Sequence, residues 1–353
     1  MALKQTKVFH VTAHDGYQLE VKIDFPPNSK SIAVFCQGSG PNTYDNHREL
    51  NGRHFNYFDL FADECCRRGI AFCRWNTRGC SLSDCAPDFV AVNEAEFSTY
   101  CPEASVQDIL TVKRFVKALP AFQHSKVLLM GMSEGASLIP FAAEKCRDVA
   151  GLLLLSFSCR NMKEILDWQL SGGSSMVNMC RYFGCPQKGV LERDDFLADV
   201  FHVRPVLFPD TAFEDLDADG DGRITQADFA IRLADYKRKV FQAIEAGDDQ
   251  WLRENYPVRV TSCWFRQHFA LPDIAAALCT VTAPVYIFRG DDDANIPADD
   301  IDKLRKAASA AGRDNLHILT FPGYDHDLNY LQYIVNGTIP DGLQRVFDTA
   351  QAL

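Results

Sequence analysis

Long apolar runs are missing from this chain. The longest nearly unbroken one, Val149 to Phe157, falls far short of the about 18 residues needed to cross a bilayer, so no membrane-spanning segment is expected. Positive charge is also in deficit: 36 Lys and Arg face 47 Asp and Glu, a formal net charge of −11. That sign is wrong for gripping a phosphate backbone and excludes nucleic acid as an expected partner. The opening residues, MALKQTKVFHV, lack the apolar stretch and small-residue cleavage site of a secretory signal, which predicts a cytoplasmic location. No internal repeat or low-complexity segment is evident. With 47% hydrophobic and 24% charged residues, the composition excludes disordered, collagen-like and coiled-coil proteins.

Cysteine runs against these shortages. Thirteen is high for 353 residues, but the count is odd, and Cys36, Cys73 and Cys279 sit in apolar runs, as reduced, buried thiols do. Cys65/Cys66 and Cys80/Cys85 do not form Cys-x-x-Cys with a matching second pair, so a zinc site is not expected. The length fits two domains, or one α/β domain with a large insertion.

Three β-rich runs come first, KVFHVTA, YQLEVKIDF and SIAVFCQG, separated by the turn signals His14-Asp15-Gly16 and Pro26-Pro27-Asn28. Strands and helices then alternate: a helix over 58–68, the strand AFCRWN, a helix over 106–119, VLLMGM, a helix over 134–146, and VAGLLLLSF. The alternation predicts a mostly parallel sheet with helices on both faces. It stops over 159–281, a mainly helical cap insertion, and resumes with VYIFRG, a helix over 298–311, LHILTF and a terminal helix from Asp341. The predicted organisation is therefore a core in two parts, 1–158 and 282–353, with a cap over 159–281.

Gly131-Met132-Ser133-Glu134-Gly135 lies between a buried strand and a predicted helix. A serine hydroxyl is a weak nucleophile at neutral pH, and a sharp strand-to-helix turn between small residues is what lifts it toward a base. The partners should follow later strands, acid before histidine. VYIFRG runs into Asp291-Asp292-Asp293, and LHILTF runs into Pro322-Gly323-Tyr324-Asp325-His326. His326 is in the loop, whereas His317 lies within its strand and reads as a packed or edge residue. The oxyanion of a tetrahedral intermediate needs two backbone N–H donors. These are expected from Glu134, at the helix start, and from Ser39 or alternatively Gly40 in Gln37-Gly38-Ser39-Gly40-Pro41.

Together GSGP at 38–41, NTRG at 76–79, GMSEGA at 131–136, GDDDANIP at 290–297 and FPGYDH at 321–326 resemble the α/β-hydrolases of the dienelactone-hydrolase and serine esterase/peptidase-like groups, over residues 5–158 and 282–353. The resemblance implies an α/β-hydrolase fold and a Ser-His-Asp triad of Ser133, His326 and Asp293, the last chosen over its neighbours by a Gly-x-x-Asp-x-x-Val-Pro stretch. It also implies cleavage of small-molecule carboxylic esters with small to medium apolar acyl groups. A thioesterase or an acyl-peptide hydrolase would use the same triad, and a catalytically silent, calcium-dependent binding module is the alternative of another class. Ser81 stands where such relatives usually have Gly.

Within the insertion, residues 217–228 follow the twelve-residue calcium-loop pattern: Asp217, Asp219, Asp221 and Asp228 at positions 1, 3, 5 and 12, Gly222 at 6, the Arg223 carbonyl at 7 and apolar Ile224 at 8. Asp228 replaces the usual bidentate Glu. Pro205 and Pro209 leave little room for an entering helix, so the segment resembles half of a dockerin-type module more than a paired EF-hand. Structural calcium is the expected cofactor, with no organic one. Trp168, Trp251, Trp264, Phe265 and Phe269 are candidates either for an acyl or aryl pocket or for packing within the cap.

Overall fold

The computed structural model describes residues 4–353. Eight strands form the central sheet: β1 (Gln5–Thr12), β2 (Gln18–Phe25), β3 (Ser31–Cys36), β4 (Ile70–Trp75), β5 (Lys126–Met132), β6 (Gly151–Leu155), β7 (Val285–Gly290) and β8 (Leu316–Phe321). Their spatial order is β1-β2-β4-β3-β5-β6-β7-β8. β1 and β2 are antiparallel to their neighbours, and the pairs from β4 through β8 are parallel. Every residue of β3, β4 and β6 is buried, which explains why these strands are continuous apolar runs. Successive side chains alternate between two cores. Ile32, Val34 and Leu129 meet the Pro102–Ala118 and Glu134–Lys145 helices, while Ala33, Phe35 and Met130 meet the Asp59–Arg67 and Asp341–Ala352 helices.

Core elements lie close to their predicted bounds. The helix expected over 106–119 begins a turn earlier because Pro102 occupies its first turn, where no amide donor is required. Ser81 sits exposed in the short strand Cys80–Leu82, with no positive φ, so glycine is not required there.

The insertion surrounds two apolar clusters of its own. One joins Leu166, Val240, Ile244, Leu252, Trp264 and Phe265 to the core residues Phe97 and Tyr100. Phe265 is fully buried there, with Trp251 and Phe269 packed against it, and Trp168 closes on Gly173. Of the five aromatic candidates for a pocket, Trp264 alone lines the main cavity. The last helix of the segment, Ile274–Thr280, packs into the sheet core.

The second cluster, Met176, Met179, Phe183, Leu191, Phe196, Phe213, Leu216 and Ile224, corrects the expectation of a single half-module without a repeat. Two helix-loop-strand-helix units meet here. The first runs through Gly173–Phe183, Val190–Glu192 and Arg193–Ala198; the second runs through Phe213–Leu216, Arg223–Thr225 and Gln226–Ala246. Their strands pair antiparallel about Leu191 and Ile224. Gly189 and Gly222, at φ 85° and 88°, occupy equivalent positions, as do Asp195 and Asp228, and Phe196 and Phe229. The first loop has Gly184, Pro186 and Lys188 where the second has Asp217, Asp219 and Asp221.

Candidate active site

Ser133 ends β5 and precedes the Glu134–Lys145 helix at φ 56°, ψ −119°, a backbone conformation that a side chain adopts only under local constraint. The constraint is close packing at the turn. A Cβ on Gly135 would fall 2.1 Å from the Cys36 carbonyl oxygen, so only glycine lets the helix approach β3 this closely. The Ser133 N–H donates to the Leu155 carbonyl (2.9 Å), fixing the turn to β6.

The loops after β7 and β8 meet because Gly290 has no side chain: a Cβ there would lie 1.9 Å from the Tyr324 carbonyl oxygen. Asp291 Oδ1 accepts the Gly323 N–H (2.6 Å), and the Asp292 N–H donates to the Tyr324 carbonyl (3.0 Å). These two acids thus join the loops. Asp293, 2% exposed, instead places Oδ2 and Oδ1 at 2.8 and 2.9 Å from His326 Nδ1. Arg289 braces the acid loop from beneath through the Ile296 and Pro297 carbonyls (3.1 and 2.5 Å) and Asp300 (3.4 Å). The Ser156 hydroxyl donates to the His326 carbonyl. Burial disfavours the His326 imidazolium, but the Asp293 charge and hydrogen bond outweigh it, and the histidine pKa lies above its ordinary value. His317 stays in β8, stacked on Tyr286 at 4.6 Å.

Ser133 and His326 line one cavity of about 600 Å³, together with Gly38, Ser39 and Glu134. Ser133 Oγ makes no hydrogen bond to a described residue. Asn42 Nδ2 donates to the carbonyls of Gly38, Ser39 and Gly40 (3.0, 3.2 and 3.3 Å), holding these oxygens on one side of the loop. The Gly40 N–H is engaged by the Tyr100 hydroxyl (3.4 Å), which favours Ser39 of the two alternatives. Met162, Ile165, Leu170, Val258, Val260 and Trp264 give the cap side of the cavity an apolar wall.

The Glu134 side chain was not singled out from the sequence. Its buried carboxylate accepts hydrogen bonds from Tyr100 Oη, Trp264 Nε1 (2.8 Å) and His268 Nε2 (2.9 Å). Trp264 and His268 stand four apart on the Ser262–Phe269 helix, and that spacing was the available signal.

In the acidic loop, one carboxylate oxygen each from Asp217, Asp219 and Asp221 lies within 4.8 Å of the others. Asp228 stands apart from this group. Its oxygens accept the Ala218, Asp219 and Thr225 N–H groups (2.8, 3.3 and 2.8 Å) and the Thr225 hydroxyl (3.2 Å). The Arg223 side chain pairs with Glu192 at 3.1 Å. Lys188, at the position of the first loop equivalent to Asp221, reaches the core at Asp292 (2.6 Å) and Asp291 (3.3 Å). Arg181 reaches Asp325, beside His326, at 3.3 Å.

No family model matches the sequence, and no curated protein matches it. Solved structures do match. An open-form lipase is 12% identical, with 99% of this chain and 97% of that chain covered and a TM-score of 0.56. A Pyrococcus furiosus esterase is 9% identical, with 99% and 90% covered and a TM-score of 0.51. The acylaminoacyl peptidase of Pyrococcus horikoshii is 10% identical over 99% of this chain but 41% of its own, with a TM-score of 0.53. At these identities the likeness is one of architecture, and with the strand order above it gives the chain the α/β-hydrolase fold.

Proposed function

We propose that the protein is a serine hydrolase that cleaves carboxylic esters carrying small to medium apolar acyl groups. The observation that carries this reading is the Asp293–His326 pair opening onto the same cavity as a serine held at positive φ. Ser133 Oγ attacks the ester carbonyl carbon as His326 Nε2 takes its proton. Asp293 fixes the tautomer through Nδ1 and stabilises the imidazolium. The Ser39 and Glu134 amides receive the oxyanion. Its collapse breaks the bond to the alcohol, which leaves with the proton from His326, and the acyl group remains on Ser133. Water, deprotonated by His326, attacks the acyl-enzyme by the same route, releasing the acid and restoring Ser133.

The apolar cap wall supports an apolar acyl group, and about 600 Å³ falls within the range of small-molecule sites. Thioesters and acylated amines present the same carbonyl, so matched ester, thioester and aminoacyl anilide substrates decide the leaving group. Ser133→Ala should lower ester turnover at least about 10³-fold and abolish fluorophosphonate labelling. Retained labelling would mean another nucleophile; an unreactive native protein would favour the binding-module reading.

In the same reading the 217–228 loop holds calcium. Its donors suit a hard cation: Asp217, Asp219 and Asp221 supply convergent carboxylate oxygens with no ion-pair partner among the described residues, and the Arg223 carbonyl would add a fourth. Asp228 lies outside this group of three and, like them, accepts amides of the loop itself. The ion would neutralise a cap segment and take no part in bond cleavage. We place the protein in a reducing compartment, the cytoplasm, on its thirteen unpaired cysteines. No described helix is long and apolar enough to cross a membrane.

A further inference from the structure

The mechanism above uses Glu134 through its amide, yet its carboxylate has the more constrained environment. It is 2% exposed, and its only ion-pairing partner among the described residues is His268, itself 3% exposed. His268 Nε2 lies 2.9 Å from Oε1, a contact in which the tautomer with its proton on Nε2 donates to the carboxylate. Two donors, Trp264 and His268, come from one cap helix and converge on Oε1. Their rings lie 4.1 Å apart. The third donor, Tyr100, bonds Oε2 and with the same hydroxyl accepts the Gly40 N–H. A continuous set of hydrogen bonds thus runs from the cap to Glu134, and through Tyr100 to the loop beside Ser39.

The network reaches both sides of the oxyanion site. An oxyanion donor lowers a barrier only when aimed at the place where charge develops, and small displacements forfeit much of its effect. The Ser133–Glu134 peptide follows a residue at φ 56°, a conformation that persists only when its surroundings over-determine it. Three donors from two parts of the chain supply that constraint on the Glu134 side. On the other side, Tyr100 holds Gly40, while Val258 of the cap lies 3.4 Å from where a Gly40 Cβ would stand.

We propose that the Glu134 carboxylate is a positioning group that sets the two oxyanion-binding amides by tying them to the seated cap. The inference rests on the serine-hydrolase reading and deepens it: cap seating and oxyanion geometry become one unit. Trp264 and His268 also line the cavity, so a substrate that fills it touches the residues that hold Glu134.

The test compares Glu134→Ala, Glu134→Gln, Tyr100→Phe and Trp264→Phe with native protein, using fluorophosphonate titration to count competent sites. Glu134→Ala should lower kcat per titrated site by about 10- to 100-fold while KM changes less than about threefold, the pattern of a contribution realised in the transition state. Glu134→Gln keeps an acceptor for Trp264 and His268 and should recover most of that loss. Tyr100→Phe, which keeps the ring and removes only the hydroxyl, should give an intermediate loss, and so should Trp264→Phe, which removes the indole N–H together with one ring. The preference for an oxo-ester over its thiono analogue, whose sulfur is poorly served by oxyanion donors, should fall in step. A group that only kept the cap folded would lower the melting temperature and the number of titratable sites but leave kcat per site and the oxo/thiono ratio intact. That result in Tyr100→Phe, the variant least prone to misfold, together with Glu134→Ala wherever it folds, overturns the proposal. Ser133→Ala separates the two levels: native turnover there sinks the hydrolase reading itself, whereas its loss with unchanged kcat per site in Glu134→Ala and Tyr100→Phe sinks only the positioning role.

Discussion

The loops at 184–195 and 217–228 share one frame and have diverged in what they present. Each has a glycine at its turn, an apolar residue in the connecting strand pair and an aspartate six residues after the glycine. The second turns three carboxylates toward a common centre, whereas the first carries none of the three and uses Lys188 to reach the acids that precede Asp293. The frame that fixes such a loop is separable from the positions that give it a task. The same division holds at larger scale. In the proposed reading, strand ends of the sheet supply reactive groups, and the 159–281 insertion supplies tethers and a roof. Changes in the core should therefore remove chemistry, and changes in the cap should alter stability or local reactivity.

The largest expected effect sharpens the core side of that contrast. Asp293→Asn leaves the loop shape but favours the wrong His326 tautomer, and should cut kcat by about 10³- to 10⁴-fold. The proposed mechanism requires neutral His326, whose pKa is raised by Asp293 against the opposing pull of burial. The native kcat/KM should therefore fall as pH drops through a value above the ordinary histidine range. In Asp293→Asn that acid limb should move to lower pH, because the carboxylate that favoured the imidazolium is gone. A profile from pH 5 to 9 with an unmoved limb would show that Asp293 is not the partner that sets His326.

The next effect bears on the second loop alone. Calcium at about a hundred times its dissociation constant should stabilise the fold by about 2.7 kcal/mol, or about 4 °C in melting temperature for a chain of this size. Replacing Asp217 and Asp219 by Asn should remove the shift. Equal melting curves in calcium and in chelator would leave the two loops alike in function and break the contrast between them.

How much was legible beforehand follows the same divide. Buried parallel strands are nearly pure apolar runs, so β3, β5 and β6 mark themselves, and once the end of β5 is placed, Ser133 follows; His326 follows from the end of β8, a half-buried strand read from its place in the alternation. Among Asp291, Asp292 and Asp293, spacing after β7 could not choose. The distinction lies in the opposite loop, where Gly323 and Tyr324 engage the first two. The repeat was hidden because the first loop kept the frame and lost the carboxylates that make such a loop conspicuous. The Glu134 side chain was hidden for another reason: its partners at 100, 264 and 268 converge only after the cap has closed over the elbow.

The smallest effect contrasts the thiols of the two regions. Burial pushes the core thiols of Cys65 and Cys73 far up, and those of Cys66 and Cys80 to about 12, which makes them poor nucleophiles at neutral pH. Cys180, at the end of the Gly173–Phe183 helix, is brought down to about 7 by the Cys185 thiol and then, against burial, by the Gly189 and Val190 amides. Its sulfur lies 3.2 Å from the Gly189 nitrogen. Its thiolate is therefore easier to form than those of the core cysteines, and partial burial together with the lower basicity of that thiolate offsets part of the gain. Brief iodoacetamide treatment at pH 7 followed by peptide mapping should mark Cys180 roughly three- to tenfold faster than Cys66 or Cys80, with little change in ester turnover. Equal labelling of core and cap thiols would show that the first loop's amides do not stabilise charge on sulfur.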